Sequence, residues 1–227
     1  VTVFALDGLW IPAAICLCTI PFVARLLPPP APRSTEWRIR LHGRLGATAR
    51  LIGYVTLRNG AVMGATTYLP ILWKHRGGGL IGGAGLVSLM LIVGVVGTMY
   101  GGHLADRLGR KRVLVAAGVA MAGGLALIAW GTPAALWAGA AFFGIPAFAT
   151  FPLTTVSGQD LYPENRPFGS GLALGLGNAL GTGLVAILGL GVGLFGLPGL
   201  FWILAAVGLL SAPMALWSEH RPSRPRV

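Results

Sequence analysis

The sequence predicts an all-α polytopic membrane protein with seven transmembrane helices. Three observations carry this. Charge is scarce: 10% of the 227 residues are charged against 55% hydrophobic, and mean hydropathy is +0.76. Apolar runs of about 20 residues recur, each long enough to cross a hydrocarbon core roughly 30 Å thick. The runs are continuous rather than alternating, which selects helices over barrel strands. A net charge of +11 would suggest nucleic acid in a soluble protein. Here it reads as loop charge that orients a membrane protein, and no nucleic-acid partner is expected.

The first span is expected over Val3–Leu27. It holds Cys16 and Cys18, read as two small buried hydrophobes, since a bridge two residues apart is geometrically poor and zinc would lack further ligands. Asp7 lies near its outer end, as an interfacial acid or a proton carrier. The run lacks a basic leader, so it does not read as a cleavable signal. The chain opens on Val, which fits either a piece of a longer chain or an unusual start codon.

Residues 28–49 read as a long cytoplasmic loop. Its Pro-Pro-Pro-Ala-Pro start is stiff, and "EWRIRLHGRL" interleaves cations with Trp37, Ile39, Leu41 and Leu45. Beside a membrane, such a segment lies on anionic lipid headgroups. A six-helix bundle follows over 50–217, with spans at Arg50–Trp73, Leu80–Tyr100, Val113–Trp130, Ala134–Val156, Phe168–Leu194 and Leu197–Trp217, then a basic tail over 218–227. The sixth span carries small residues four apart (Gly171/Gly175, Gly177/Gly181, Gly189/Gly193), a pattern that lets helices approach closely. Its Gly175–Gly181 piece mimics a dinucleotide fingerprint but lacks the preceding strand and following acid.

Alternating spans sort the loops into two sets. One side carries 14 of the 17 cations; the other has only Lys74 and Arg76, and Arg58 lies inside a span. This asymmetry predicts a cytoplasmic basic side in the plasma membrane, with the N-terminus outside and the C-terminus inside.

The turn "GGHLADRLGRKR" (101–112) concentrates charge between two spans. Gly102 and Gly109 permit a reversal, and Arg107, Arg110, Lys111 and Arg112 hold it in the cytoplasm. Asp106 is the informative residue, because a loop that only needs positive charge does not need an acid. The helix beginning near Phe168 presents its electropositive N-terminus on the same side, where a carboxylate could dock and release, with Arg166 as a further partner.

Gly102-x-Leu104-Ala105-Asp106-Arg107-x-Gly109-Arg110-Lys111-Arg112-x-Leu114 resembles the signature loop of the major facilitator superfamily of secondary transporters. The stretch "GQDLYPENRPFGSGL" (158–172) is similar to that family's loop between spans ten and eleven, with Asp160, Pro163, Arg166 and Gly171 in place. The resemblance implies the C-terminal half of a 12-span transporter preceded by span six, working with a missing N-terminal half or a second copy. It also implies a substrate cavity at the bilayer midplane, lined here by 50–73 and 134–156. Within the family, 57–73 is similar to the seventh span of fosmidomycin-resistance-like efflux proteins, through Arg58-Asn59 and Leu69-Pro70.

The foremost cavity candidate is Arg58, since an arginine in mid-span costs about 2.5–3.5 kcal/mol to insert. Two readings stand: an anchor for an anionic or polar substrate or a coupling carboxylate, and an interfacial arginine that snorkels to headgroups. Tyr54, Ala61 and Ala65 share its face, and Asn59 is adjacent. Thr150, Thr154 and Thr155 are cavity hydroxyls or bond their own helix carbonyls. Asn178 contacts a ligand or bridges helices. The histidines His42, His75, His103 and His220 lack metal-ligand spacing, and no catalytic constellation or cofactor motif occurs. The expected function is proton-coupled export of a small organic molecule by alternating access, through a gate of Gly102, Asp106, Arg107, Gly109, Arg110, Lys111, Asp160 and Arg166. A non-transporting seven-span sensor or interaction protein would share the topology.

Overall fold

A computed structural model describes residues 17–19, 21 and 44–216. Most of the expected first span, the loop up to Gly43 and the tail from Ser218 lie outside the described residues. The chain divides into two compact units, residues 1–38 and 39–227. In the first, residues 17–19 and 21 are helical.

The second unit is a bundle of six helices: α1 (Leu45–His75), α2 (Leu80–Leu108), α3 (Arg110–Trp130), α4 (Pro133–Leu161), α5 (Arg166–Leu190) and α6 (Val192–Leu216). Five of them, α2 to α6, are long and apolar enough to cross a membrane. With 31 residues α1 is also long enough, but it carries Arg50, Arg58 and Asn59 and falls outside that apolar set. Much of its polar content is turned inward: Arg58, Asn59 and Thr48 are all buried. The fold is the polytopic helical membrane bundle that the sequence predicts.

Local chemistry explains the helix ends. Gly109, at φ 88°, makes the one-residue reversal between α2 and α3. Thr132 caps α4 by accepting the Ala135 N–H at 3.2 Å, and Pro133 occupies the first helical position, where a missing N–H costs nothing. The α6 segment breaks at Gly196, which has φ 68°. Its regular part therefore begins beside Leu197, where the sequence places the seventh span. Helix α1 starts at Leu45, five residues before the expected Arg50.

Helix α5 is not uniform. Residues Arg166–Gly171 are α-helical, Leu172–Leu176 form a π turn, and Gly177–Leu190 return to α geometry. Of the expected small-residue pairs, Gly177 and Gly181 pack against α1, whereas Gly171 and Gly175 meet no neighbouring atom.

The bundle core consists of two apolar clusters stacked along the helices. The smaller contains Leu51, Tyr54, Val55, Leu114, Leu153 and Ala215. The larger contains Ala61, Val62, Met121, Phe143, Ala147 and Leu204. Between them on α1, α4 and α6 come Arg58, Thr150 and Ser211, so a buried polar layer crosses the middle of the bundle.

Candidate functional site

Arg58 sits near the midpoint of α1 and is 2% exposed. Its guanidinium stacks 5.3 Å from the Phe151 ring of α4, close enough for a cation–π attraction. Among the described residues no carboxylate pairs with it, and its Nε has no hydrogen-bond partner. A charge held this way is expensive, because burial strips its hydration and, among the described residues, no carboxylate answers it. The side chain is enclosed by helices rather than extended toward a helix end.

The neighbouring candidates divide. Asn59 and Asn178 are brought together: the Asn59 Nδ2 donates to the Asn178 carbonyl at 2.9 Å, tying α1 to α5. The Asn178 Oδ1 and the Thr56 Oγ1 are buried at this seam without partners. Thr150 and Thr154 are fully buried, and each hydroxyl donates to its own helix, to Ala147 at 3.2 Å and Phe151 at 3.0 Å. Thr155 likewise donates to Phe151 at 3.0 Å. Tyr54 stands beside both Arg58 and Thr150, at the edge of the smaller apolar cluster, and its hydroxyl also donates weakly to the Leu114 carbonyl on α3 at 3.4 Å.

A second polar cluster lies at the end of the bundle that holds the α2–α3 turn. Arg110 Nη1 bonds Asp160 Oδ2 at 2.7 Å and approaches Ser157 Oγ at 3.3 Å, joining α3 to α4. Asp106 is exposed beside a groove of about 510 Å³ that Gly102, Arg110, Pro152, Leu153 and Val156 also line. Among the described residues it forms no ion pair. The α5 N-terminus is instead capped locally, with Asn165 Oδ1 accepting the Phe168 N–H at 3.1 Å. The expected Asp106–Arg166 clasp is therefore not made in this conformation: the helix tip already has its acceptor, and Asp106 faces α4. Arg107 and Lys111 lie in the same charged turn, and neither pairs with an acid among the described residues.

Sequence reasoning missed the other connection at this end. Arg44, just before α1, pairs with Glu164 in the α4–α5 loop, and its guanidinium carbon lies 5.9 Å from the Tyr162 ring centre. Tyr162 is buried and shares a 2.8 Å hydroxyl–hydroxyl bond with Thr48. One signal was available: only three acids occur within residues 45–216, namely Asp106, Asp160 and Glu164. All three sit at this end. Tyr162→Phe is expected to destabilise the bundle by about 1 kcal/mol, the net worth of one buried hydrogen bond, measurable by thermal unfolding in detergent.

A family model described as Major Facilitator Superfamily matches residues 8–174 and, in a second placement, 51–227. The uncharacterized MFS-type transporter YfnC of Bacillus subtilis (strain 168) is 30% identical over 105 residues. That match covers 46% of this chain and 25% of the relative.

Proposed function

Because the chain belongs to the major facilitator superfamily of membrane transporters, we propose that it moves a small organic anion across the plasma membrane by alternating access, coupled to protons and in the direction of export. The observation that supports the anion is Arg58, a cation in the central polar layer that pairs with no carboxylate among the described residues. An anionic cargo would supply the missing charge at mid-membrane depth, where a charge–charge hydrogen bond is strong. The other wall of the cavity is assigned to a second bundle, either another segment of the same polypeptide or a second copy. The lightly buried faces of α2 and α5, with Leu91, Ile92, Val95 and Met99 exposed on α2, are available for it or for lipid.

The basic end is assigned to the cytoplasm, with the C-terminus inside and the N-terminus outside. There Asp106, free of an ion pair in this conformation, is the mobile half of a gate. Its docking against the second bundle or the α5 tip would mark the alternate state. Coupling by protons must use these end-of-bundle acids or groups outside residues 45–216, because among the described residues the central layer contains no carboxylate.

The test is flux in proteoliposomes containing the full polypeptide, with phosphonates and small carboxylates as cargo, with and without a proton gradient. Anion flux that follows the gradient is expected. Flux of cations or neutral compounds alone would overturn the anion assignment. Asp106→Ala is expected to insert normally and lose most of its flux; wild-type flux would remove Asp106 from the gate.

A further inference from the structure

The end of the bundle opposite the charged turn carries little charge, and what it carries is gathered in one place. Lys74, His75 and Arg76 follow one another where α1 ends, and all three are exposed. The three acids of residues 45–216 sit at the other end, and among the described residues none of these cations forms an ion pair. Cations near a helix C-terminus often serve its last carbonyls. Here that role is already filled. The carbonyls of Leu72, Trp73 and Lys74 accept the backbone N–H groups of Arg76, Gly77 and Gly78 at 3.0–3.2 Å, and Gly77, at φ 83°, reverses the chain. Arg76 crosses to the α3–α4 turn instead: its guanidinium lies over Gly131, close enough that a Cβ there would strike it. The cluster thus spans two turns with its charge unanswered.

Its surroundings are apolar and aromatic. Trp73, Trp130 and Trp137 reach this end from α1, α3 and α4. Trp73 meets Trp137 edge to face at 6.2 Å and donates its Nε1–H to the Gly79 carbonyl at 3.1 Å, while Trp130 is largely exposed. Tryptophans gathered at one level of a spanning bundle mark the boundary between headgroups and hydrocarbon. Just past the cations, α2 opens on Leu80 and Ile81, which are 86% and 89% exposed. Apolar side chains that bare, next to unpaired cations, suit a molecule with an anionic head and hydrocarbon tails.

We propose that Lys74, His75 and Arg76 bind the phosphate headgroup of an anionic phospholipid in the leaflet at this end, with its acyl chains over Leu80 and Ile81. Charge selects the headgroup. A zwitterionic lipid would bring an ammonium for which residues 45–216 offer no acid at this end. A soluble phosphate ester would share the cationic contacts but leave Leu80 and Ile81 bare. The site rests neither on the cargo assigned to Arg58 nor on the gate assigned to Asp106.

Photo-crosslinking tests it locally, which matters because the basic end of the bundle also attracts anionic lipid. The full chain is placed in phosphatidylcholine nanodiscs with a trace of photoactivatable phosphatidylglycerol, and adducts are mapped by peptide. Adducts are expected over 73–82, displaced by unlabelled phosphatidylglycerol and not by phosphatidylethanolamine. Lys74→Gln with Arg76→Gln should raise the displacement midpoint at 73–82 by about twenty- to thirtyfold, at roughly fivefold per cation. Adducts at the 101–112 turn should not change. Because Arg76 covers Gly131, Lys74→Gln with His75→Gln is the second variant if the first does not assemble; it keeps that contact and should raise the midpoint about fivefold. Equal labelling of 73–82 by a photoactivatable phosphatidylcholine, or a midpoint that both variants leave unmoved, would overturn the site. Displacement by soluble glycerol phosphate would overturn the lipid assignment in favour of a free phosphate ester.

Discussion

Arg58→Leu is expected to make the protein more stable and to cut anion transport roughly ten- to a hundredfold. The two effects have a common cause. A buried guanidinium answered by one ring at 5.3 Å and by no carboxylate among the described residues is a net cost to the fold. Leucine fills much of the same space, packs against Phe151 and removes the unpaired charge. Replacing buried ionic groups by apolar residues of similar volume is commonly neutral or stabilising by about 1–4 kcal/mol. The same change deletes the only buried cation among the described residues. A charged hydrogen bond to cargo contributes about 1.5–3 kcal/mol, so flux of an anion at subsaturating concentration should fall roughly ten- to a hundredfold. Thermal unfolding in detergent and proteoliposome flux read the two effects separately. A purely structural arginine would lose stability and flux together, and that result would remove Arg58 from the cargo site. Arg58→Lys should retain part of the flux, because it keeps the charge but loses the planar face that stacks on Phe151.

Features set by neighbours in sequence were legible before the structure; those set by pairing across the bundle were not. Continuous apolar runs predicted the five long spans, and Gly109, Thr132-Pro133 and Gly196 punctuate them by local rules. Arg58 stood out because a cation in an apolar run is costly wherever the run packs. Its partner Phe151 could not be read, because nothing within one helix says which aromatic on another will face it. The same holds for Arg44–Glu164, separated by 120 positions, and Arg110–Asp160, separated by 50. Asp106 shows the converse. Its placement in a charged turn was legible, but its partner depends on conformation, and a local cap by Asn165 had already satisfied the helix tip assigned to it. Small residues four apart were recognised as a packing signal, but not all of them pack. Period alone cannot say which row faces inward once a π turn has shifted the register.

Gly97→Ala should destabilise the bundle, and Gly97→Leu should prevent it from assembling. Helix propensity alone predicts the opposite sign for alanine, which is favoured over glycine by about 1 kcal/mol in a helix interior. The α2–α4 crossing decides against propensity. A Cβ at Gly97 would run into the Ile145 carbonyl, one at Gly101 into the Ala149 carbonyl, and one at Gly144 into the Met90 carbonyl. The two backbones are therefore in mutual contact along about three turns, and peptide groups cannot rotate away as a long side chain would. In lipid this matters more than in water. Apolar burial offers little net drive between helices there, so close van der Waals approach carries most of the association. One methyl forces the axes apart along the whole crossing and also loosens Phe148 where it fills the space beside Gly94. Overpacking of this kind costs about 1–3 kcal/mol, and leucine adds three further carbons to the same collision. Gly102→Leu is the matched control: it lies one residue from Gly101 on the same helix, and a Cβ there meets nothing within 4 Å. Size-exclusion profiles and thermal unfolding should show Gly102→Leu near wild type, Gly97→Ala less stable and Gly97→Leu aggregated. A stabilised Gly97→Ala would mean that α2 and α4 are not in backbone contact, and the bundle would have to be held together elsewhere.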